Sequence, residues 1–314
     1  MHPAKGSRSA AVLDSARIMP ARSTTGPEEE ADLSRVAIFT DSASDLDPAQ
    51  AAAEGIGVVP ILVTFGSETY RSGVDLSTEE FWKRMVAPDA PFPKTAAASP
   101  GDFKEAFEAA FAAGAEAIVS VNVAGTLSGS IKSAQIARDM LPDREIHIVD
   151  SLGASMGQGI LVRMGVEMAA DGMPAAEIAE RLEARANDML LYVALDTLEY
   201  LKRGGRISGT SAAIGTLLSV KPIIKVKDGA VETVDKVRTR SKARERLIEL
   251  IVERPIERLA ILHTISPDVE AFRDQVLDQA PGLDPADVTI VLVGPSVGPH
   301  LGPGCVGAAI LYRA

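Results

Sequence analysis

The sequence has few cysteines, histidines and large aromatic residues. Its 314 residues include one cysteine, Cys305, four histidines, one tryptophan and four tyrosines. A single cysteine excludes an internal disulfide framework, and these few residues form no cluster with the spacing of zinc ligands. Cys305 lies in the small, apolar stretch PGCVGAAIL, which is typical of a buried and unreactive thiol. We therefore expect no metal and no other cofactor.

Positive charge is also scarce. The chain has 32 Lys and Arg against 43 Asp and Glu, which gives a net charge of -11. Nucleic-acid binding requires basic patches and stacking rings, so we expect no nucleic-acid partner. One basic run, residues 236–246, alternates along a predicted strand and enters a helix. That spacing is typical of a solvated face, with contact to an acidic protein as the alternative.

Long hydrophobic runs are absent. No apolar run approaches the ~18 residues of a membrane span, so we expect no stable membrane insertion. The first 34 residues are rich in Ala, Ser, Arg and Pro, and their apolar clusters are two or three residues long. They lack the roughly 7–15 apolar residues of a secretory signal core. We interpret residues 1–34 as a disordered extension or a misassigned start, and we expect a cytoplasmic protein.

What the chain does contain is an alternation of strands, turns and helices. Hydrophobic residues make up 46% of it and charged residues 24%, as in soluble globular proteins, and the length suffices for two domains. Apolar strands are predicted in residues 35–47, 55–66, 117–123 and 145–150. The first runs into a polar turn with Ser42 at the carboxyl end, where open α/β sheets place ligands. This pattern predicts an α/β fold whose first sheet is mostly parallel with crossover helices.

Two helix starts are marked by capping residues. Ser99 precedes Pro100, and Asp102 follows three residues after the cap, so a helix is predicted over 99–114. Ser77 and Glu80 have the spacing of a capping box.

A second unit is predicted after residue 185. Lys227-Asp228-Gly229 separates two alternating apolar strands, near 220–227 and 230–238, which is a strong hairpin signal. A helix over 241–253, a strand over 258–264, a helix over 267–279 and a strand over 288–294 follow. We therefore predict an N-terminal α/β domain over 35–185 and a C-terminal α/β domain over 186–314, the latter with a smaller mixed sheet.

Two G-x-S-x-G matches, centred on Ser155 and Ser296, raise the possibility of a serine hydrolase. In α/β-hydrolases this serine lies directly between a strand and a helix, and the acid and histidine follow in chain order. No Asp or Glu follows Ser296, and Ser155 lies five residues beyond its strand, so neither match supports a triad. Signatures of phosphate-binding loops and of the dinucleotide fold are absent as well.

Two loops could contact a ligand or a partner, and the first of them could hold an anion. The loop GTLSGS (125–130) precedes a helix and offers backbone N–H groups and three hydroxyls, although simple N-capping by Ser128 is the alternative. The segment LDTLEYLKRGGRISG (195–209) joins a helix to a double glycine flanked by Arg203 and Arg206. Its glycines can turn the chain sharply after the helix, so both arginines are fixed on a turn. An ordinary helix end with solvated charges explains the same pattern.

Several ordered motifs resemble the DegV family, bacterial proteins that hold a fatty acid between two α/β domains. They cover residues 35 to 314 and include VAIFTDSASDL, VVPILVTFGSETYRSGVDLSTEEFW, PKTAAASPGDF, LSGSIKSAQ, VDSLGASMGQG, DTLEYLKRGGRISG and GPSVGPHLGPG. The resemblance implies a tunnel for a long acyl chain, with the carboxylate hydrogen-bonded near the cleft between the domains.

The resemblance also implies head-group residues. Thr95 matches a family threonine, and His263 matches a family histidine near the carboxylate. The serine pair of many members is replaced here by Ala124-Gly125. Either Ser128 supplies the missing contact or Gly125 offers only its N–H group.

Four further residues are candidates for contact with the cleft or with a partner: Ser42, Arg203, Arg206 and His300.

The function implied by the resemblance is that of a carrier without catalytic groups. Well-studied relatives present the fatty acid to a separate kinase, which makes the acyl phosphate used in phospholipid synthesis. A long-chain fatty acid and a fatty-acid kinase subunit are thus the expected partners. The alternative is an enzyme on the same scaffold, a hydrolase or transferase, acting on a small anionic substrate.

Overall fold

The computed structural model describes residues 36–207 and 220–313. The extension predicted for residues 1–34 and the last two residues of segment 195–209 lie outside these ranges. The strands are β1 (Val36–Asp41), β2 (Gly57–Val59), β3 (Leu62–Phe65), β4 (Glu68–Arg71), β5 (Lys94–Ala96), β6 (Ala117–Asn122), β7 (Glu145–Asp150), β8 (Met189–Ala194), β9 (Lys221–Lys227), β10 (Ala230–Val237), β11 (Ile256–His263), β12 (Thr289–Leu292) and β13 (Val306–Tyr312).

The helices are α1 (Pro48–Ala53), α2 (Thr78–Met85), α3 (Pro100–Ala112), α4 (Ser130–Asp139), α5 (Met156–Ala170), α6 (Ala175–Ala186), α7 (Glu199–Arg203), α8 (Arg240–Ile251), α9 (Val269–Gln279) and α10 (Gly298–Leu301). Ser99 caps α3 with the complete capping box that the sequence predicts, because Asp102 accepts from the Ser99 N–H in return. At α2 only half of the predicted box is present, the bond from the Glu80 N–H to the Ser77 hydroxyl.

The first sheet is fully parallel, with strand order β2-β1-β6-β7. Phenylalanines of α3 and alanines of α4 cover one face, where Phe103 and Phe107 are completely buried. Helices α5 and α6 cover the other face through residues such as Leu161 and Leu182. The predicted parallel sheet with crossover helices is therefore confirmed.

The strand predicted over 55–66 is in fact two strands that belong to different sheets. It breaks at Pro60, which has no N–H to continue a ladder. The part before Pro60 is β2 of the parallel sheet, and the part after it is β3 of a small antiparallel sheet with order β4-β3-β5. This small sheet, which the sequence analysis missed, carries Thr95 on β5.

The second sheet is mixed, with order β10-β9-β8-β13-β11-β12 and one parallel pair, β11 with β12. It has six strands, so it is larger than the four-stranded sheet rather than smaller. The predicted hairpin is confirmed, with Asp228 and Gly229 both at positive φ between β9 and β10. Helices α8 and α9 cover one face of the sheet.

The face of the second sheet that α8 and α9 do not cover shares a buried core with the first sheet. Leu191, Val193 and Leu262 from the second sheet belong to the same buried cluster as Val119 and Leu161. The predicted domain boundary, at residues 185 and 186, falls where α6 ends and before β8 begins. The assignment of two separate domains stays a prediction.

Candidate functional site

A buried carboxylate organises the carboxyl end of β1. Asp41 is fully buried and accepts hydrogen bonds from the N–H groups of Ala43 (3.0 Å) and Val123 (3.1 Å) and from the amides of Gln158 (3.3 Å) and Asn122 (3.4 Å). Burial raises the pKa of Asp41, whereas these four donors lower it. The bonds tie β1 to β6 and α5, so Asp41 fixes the short turn that follows (Ser42–Ser44).

Beside this turn lies a mainly apolar cavity. It contains about 900 Å³ of space between atoms, with the open solvent at its mouth included. Leu191, Ile224, Val231 and Leu262 from the second sheet line it. The polar groups of its lining are six in number among the described residues: Thr95, Ser128, Ser155, Arg206, Ser296 and His300.

Thr95 and His300 form a hydrogen-bonded pair at this cavity. Thr95 Oγ1 lies 3.2 Å from His300 Nε2, although the two residues are 205 positions apart. Burial and the nearby Arg206 charge lower the pKa of His300 to about 4, so its imidazole is neutral at pH 7. Gly204 packs against the ring, since a Cβ there would overlap Nδ1. His300 is thus held in place with a buried Nδ1 that has no hydrogen-bond partner among the described residues.

Arg206 brings a positive charge to the same lining. Its Nε donates to the Leu127 carbonyl at 3.2 Å and its Nη1 to the Gly204 carbonyl at 2.6 Å. Arg203 points elsewhere: it is exposed, lies 4.0 Å from the centre of the Phe92 ring and pairs with Glu199 at 3.6 Å. The two arginines of the Gly-Gly turn therefore have different environments.

The two alternatives for the 125–130 loop lie in different places. Ser128 lines the cavity, and its hydroxyl accepts from the Ser130 N–H at 3.2 Å. The Gly125 N–H donates to Asp150 at 3.1 Å, and Gly125 is outside the cavity lining. Of the two, only Ser128 is positioned to meet a ligand in this cavity.

His263 lies at the end of β11, outside the cavity lining. Successive side chains of a strand point to opposite faces. Because Leu262 faces the cavity, its neighbour His263 is directed toward the face covered by α8 and α9, as is Ile261. The histidine that the structure brings to Thr95 is His300, from the predicted loop motif GPSVGPHLGPG.

The serines of the two G-x-S-x-G matches also line the cavity, but neither bonds a histidine. Ser155 donates to Asp45 at 2.5 Å, and Ser296 lies 2.9 Å from Ser42 and 3.0 Å from Ser72. Burial raises the pKa of Asp45 to about 7. Ser42 lies behind the cavity wall rather than in it. A Ser-His-Asp triad requires a histidine base bonded to the serine, and neither serine has one among the described contacts.

A wider cleft lies on the other side of the Ser42–Ser44 turn. It opens to about 1620 Å³ including solvent, and its lining includes Asp45, Asp47 and Glu79. The Arg163 side chain in it is already paired with Glu54 at 3.2 Å. An anionic ligand would be repelled by this acidic lining, so the smaller, apolar cavity is the better candidate site.

Other reactive groups are scarce among the described residues. Cys305 is buried, and burial raises the pKa of its thiol to about 11, so it is an unreactive thiol. Within residues 36–207 and 220–313, His, Cys, Asp and Glu form no group that could hold a metal ion. None of the helices described is both long and apolar enough to cross a membrane.

Comparison with known proteins gives consistent matches. A family model described as "Uncharacterised protein, DegV family" matches residues 35–313. A DegV domain-containing protein of Streptomyces coelicolor is 34% identical over 288 residues, which cover 88% of this chain and 99% of the relative.

Two solved structures are similar over 88–89% of this chain. A fatty-acid-binding DegV family protein from Thermus thermophilus is 33% identical with a TM-score of 0.81, and all of that chain is covered. A stearic acid-binding protein from Eubacterium ventriosum is 27% identical with a TM-score of 0.80, and 98% of it is covered.

Proposed function

The chain belongs to the DegV family, and from that premise we propose that it is a fatty-acid-binding protein whose apolar cavity holds a long acyl chain. The observation that carries the proposal is the cavity itself, an apolar space with a threonine, a histidine and an arginine gathered in its lining. The two solved structures support it, because both are described as binding fatty acids.

The lining suits both parts of such a ligand. Each buried methylene of an acyl chain gains about 0.8 kcal/mol, so a long chain supplies most of the affinity. A carboxylate removed from water needs donors in compensation. In our proposal Thr95 and Ser128 donate hydrogen bonds to it, His300 orients Thr95 by donating its Nε2 proton to Oγ1, and Arg206 supplies the opposite charge.

We further propose that the protein is a cytoplasmic carrier without catalytic groups of its own, and that it presents the carboxylate to a fatty-acid kinase. Within residues 36–207 and 220–313, neither Ser155 nor Ser296 is bonded to a histidine, which supports a carrier over a hydrolase. Arg203 and the Phe92 ring beneath it form an exposed feature next to the Arg206 turn, where a partner could reach the carboxylate end.

Lipid extraction and native mass spectrometry of the purified full-length protein test the binding. We expect one equivalent of a long-chain fatty acid. The variant Thr95→Ala should weaken retention roughly 10- to 100-fold, because one bond to a charged group is lost, worth about 1.5–3 kcal/mol. Thr69→Ala, at an exposed threonine of the same small sheet, is the matched control. A lipid-free protein that does not take up added fatty acid would contradict the proposal.

Reconstitution tests the carrier role. Loaded protein with ATP alone should give no acyl phosphate, whereas addition of a fatty-acid kinase should produce it in proportion to the loaded protein. Product without the kinase would instead favour the alternative, an enzyme on the same scaffold.

A further inference from the structure

Two buried serines interrupt the apolar lining of the cavity. Ser155 is completely buried and Ser296 is 5% exposed, yet both line the space proposed for the acyl chain. Polar groups in an acyl tunnel weaken its affinity for a plain hydrocarbon chain. The bonds of these serines show what kind of group they can accept.

Ser155 uses its only proton outside the cavity. It occupies the N-cap position of α5 but makes no capping bond with its side chain. Its hydroxyl instead donates to Asp45 at 2.5 Å, and its backbone is in the left-handed region with φ of 54°. Both lone pairs of its oxygen remain available as acceptors.

Ser296 is bound by a chain of hydroxyls. Its proton goes to the Ser72 hydroxyl at 3.0 Å. The bond of 2.9 Å with Ser42 is then donated by Ser42, whose oxygen in turn accepts from the Ile61 N–H at 2.8 Å. One acceptor position of the Ser296 oxygen stays open.

Both serines are held from the same turn. Ser42 begins the turn and binds Ser296, and Asp45 follows it and binds Ser155. Asp45 also accepts from the Gly294 N–H at 3.0 Å, two residues before Ser296. The turn therefore fixes the orientation of both hydroxyls, so that their protons point away from the cavity.

While Asp45 is ionised, the consequence is a wall that offers acceptors but no free proton. Such a wall cannot stabilise a carboxylate, a ketone or an epoxide, all of which need a donor. It suits a group that donates a hydrogen bond. On an acyl chain, that group is a hydroxyl.

We propose that the cavity is adapted to a long-chain fatty acid that carries a hydroxyl group on its chain, recognised by Ser155 and Ser296. This inference rests on the proposed function, since it specifies which acyl chain the same cavity prefers. A plain chain would leave both serine oxygens facing hydrocarbon, whereas a chain hydroxyl at the right position would donate to one of them.

Competitive loading tests the preference. The full-length protein is incubated with stearate and with a series of positional isomers of hydroxystearate, and the bound acids are extracted and quantified by mass spectrometry. One neutral hydrogen bond predicts that one isomer is enriched roughly 3- to 10-fold over stearate. The enrichment should fall to about onefold in Ser296→Ala or Ser155→Ala, with total occupancy retained. Ser241→Ala, at an exposed serine of α8, is the control and should keep the enrichment.

The outcomes are separable. Equal loading of all acids, or an enrichment that both serine variants keep, would overturn the hydroxyl preference while leaving fatty-acid binding intact. Retention of neither stearate nor any isomer would overturn the proposed function and this inference together. Thermal denaturation of each variant verifies that it is folded. If the loss of the Asp45 bond destabilises Ser155→Ala, Ser155→Cys takes its place, because a thiol has a similar shape but is a much weaker acceptor.

Discussion

The apolar cavity and the wider cleft lie on opposite sides of one short turn, and they differ in the sign of their charge. The cavity is apolar with Arg206 in its lining, whereas the cleft includes Asp45, Asp47 and Glu79. The cleft is the larger of the two, so size alone would select the wrong site for an anionic lipid. Charge and burial together identify the cavity, because a carboxylate gains from Arg206 there and is repelled in the cleft.

The difference originates in the residues between the two spaces. Ser42 and Asp45 line the cleft, but their hydrogen bonds pass through the wall to Ser296 and Ser155 of the cavity. Asp45 thus lines the cleft, and its carboxylate also accepts a hydrogen bond from Ser155 in the cavity wall. A change at this turn should therefore affect both spaces, whereas a change at Arg206 should affect only the cavity.

The largest effect on fatty-acid retention is expected when the charge of Arg206 in the cavity is reversed. Arg206→Glu would set a second carboxylate against the fatty acid and should reduce retention by about 100-fold or more, as expected when a buried charge loses its partner at a cost of about 3–5 kcal/mol. Displacement of a fluorescent fatty acid measures the effect.

The matched control is Arg203→Glu, on the same turn but exposed over Phe92. It should leave retention within about twofold, since an exposed charge contributes little. Equal losses in the two variants would show that the turn acts as a whole and that the Arg206 charge has no specific role.

Much of the fold follows from local sequence signals. The Ser99–Asp102 box and the Asp228-Gly229 turn each depend on a few neighbouring residues, and both are confirmed. The break at Pro60 was missed because residues 55–66 are apolar on both sides of it. Their division between two sheets depends on strands that are distant in sequence.

The site was harder to predict. Thr95 lies in the cavity lining, but the sequence does not show that a small antiparallel sheet carries it there. His263 lies at the end of β11, where a shift of one position would turn its side chain to the other face of the sheet. The sequence alone therefore does not show whether His263 or His300 faces the cavity. The bond between Thr95 and His300 joins residues 205 positions apart, so it depends on tertiary structure that local sequence signals do not show.

Protonation of Asp45, which lies behind the cavity wall, is a smaller perturbation. The pKa of Asp45 is raised by burial to about 7 in the folded protein, above its value in an unfolded chain. The folded state therefore binds this proton more tightly, and Asp45 favours folding at low pH. This contribution is lost as the pH rises toward and through 7. Between pH 5 and 8 we expect the free energy of unfolding to fall by about 2–3 kcal/mol on account of Asp45.

Urea denaturation at several pH values measures this slope, and Asp45→Asn should remove it. Asp75→Asn is the control. Asp75 is paired with Arg71, which lowers the pKa of this carboxyl to about 2, so its titration lies below the measured range. If wild type and Asp45→Asn have the same slope between pH 5 and 8, Asp45 is not the titrating group and the wall does not hold a proton.

The effect of loading on the pKa of His300 is the smallest expected, about one unit or about 1.4 kcal/mol. The pH dependence that His300 gives to stability has the opposite sign to that of Asp45. Burial and Arg206 lower the pKa of His300 to about 4, below the value of an unfolded histidine. His300 therefore stabilises the fold at neutral pH, and this stability is lost as the pH falls from about 6.5 toward 4. A carboxylate bound beside Thr95 and Arg206 would favour the imidazolium, so loading should raise the pKa of His300 by about one unit or more.

An NMR titration of the imidazole signals, with and without fatty acid, measures that shift. His147, on β7 and bonded to Glu145, lies outside the cavity lining and serves as an internal reference whose signals should not respond to loading. His263 separates the two head-group assignments in the same spectra. It also lies outside the cavity lining, at the end of β11. A response to fatty acid at His263 but not at His300 would place the carboxylate at that strand end and contradict the proposed site.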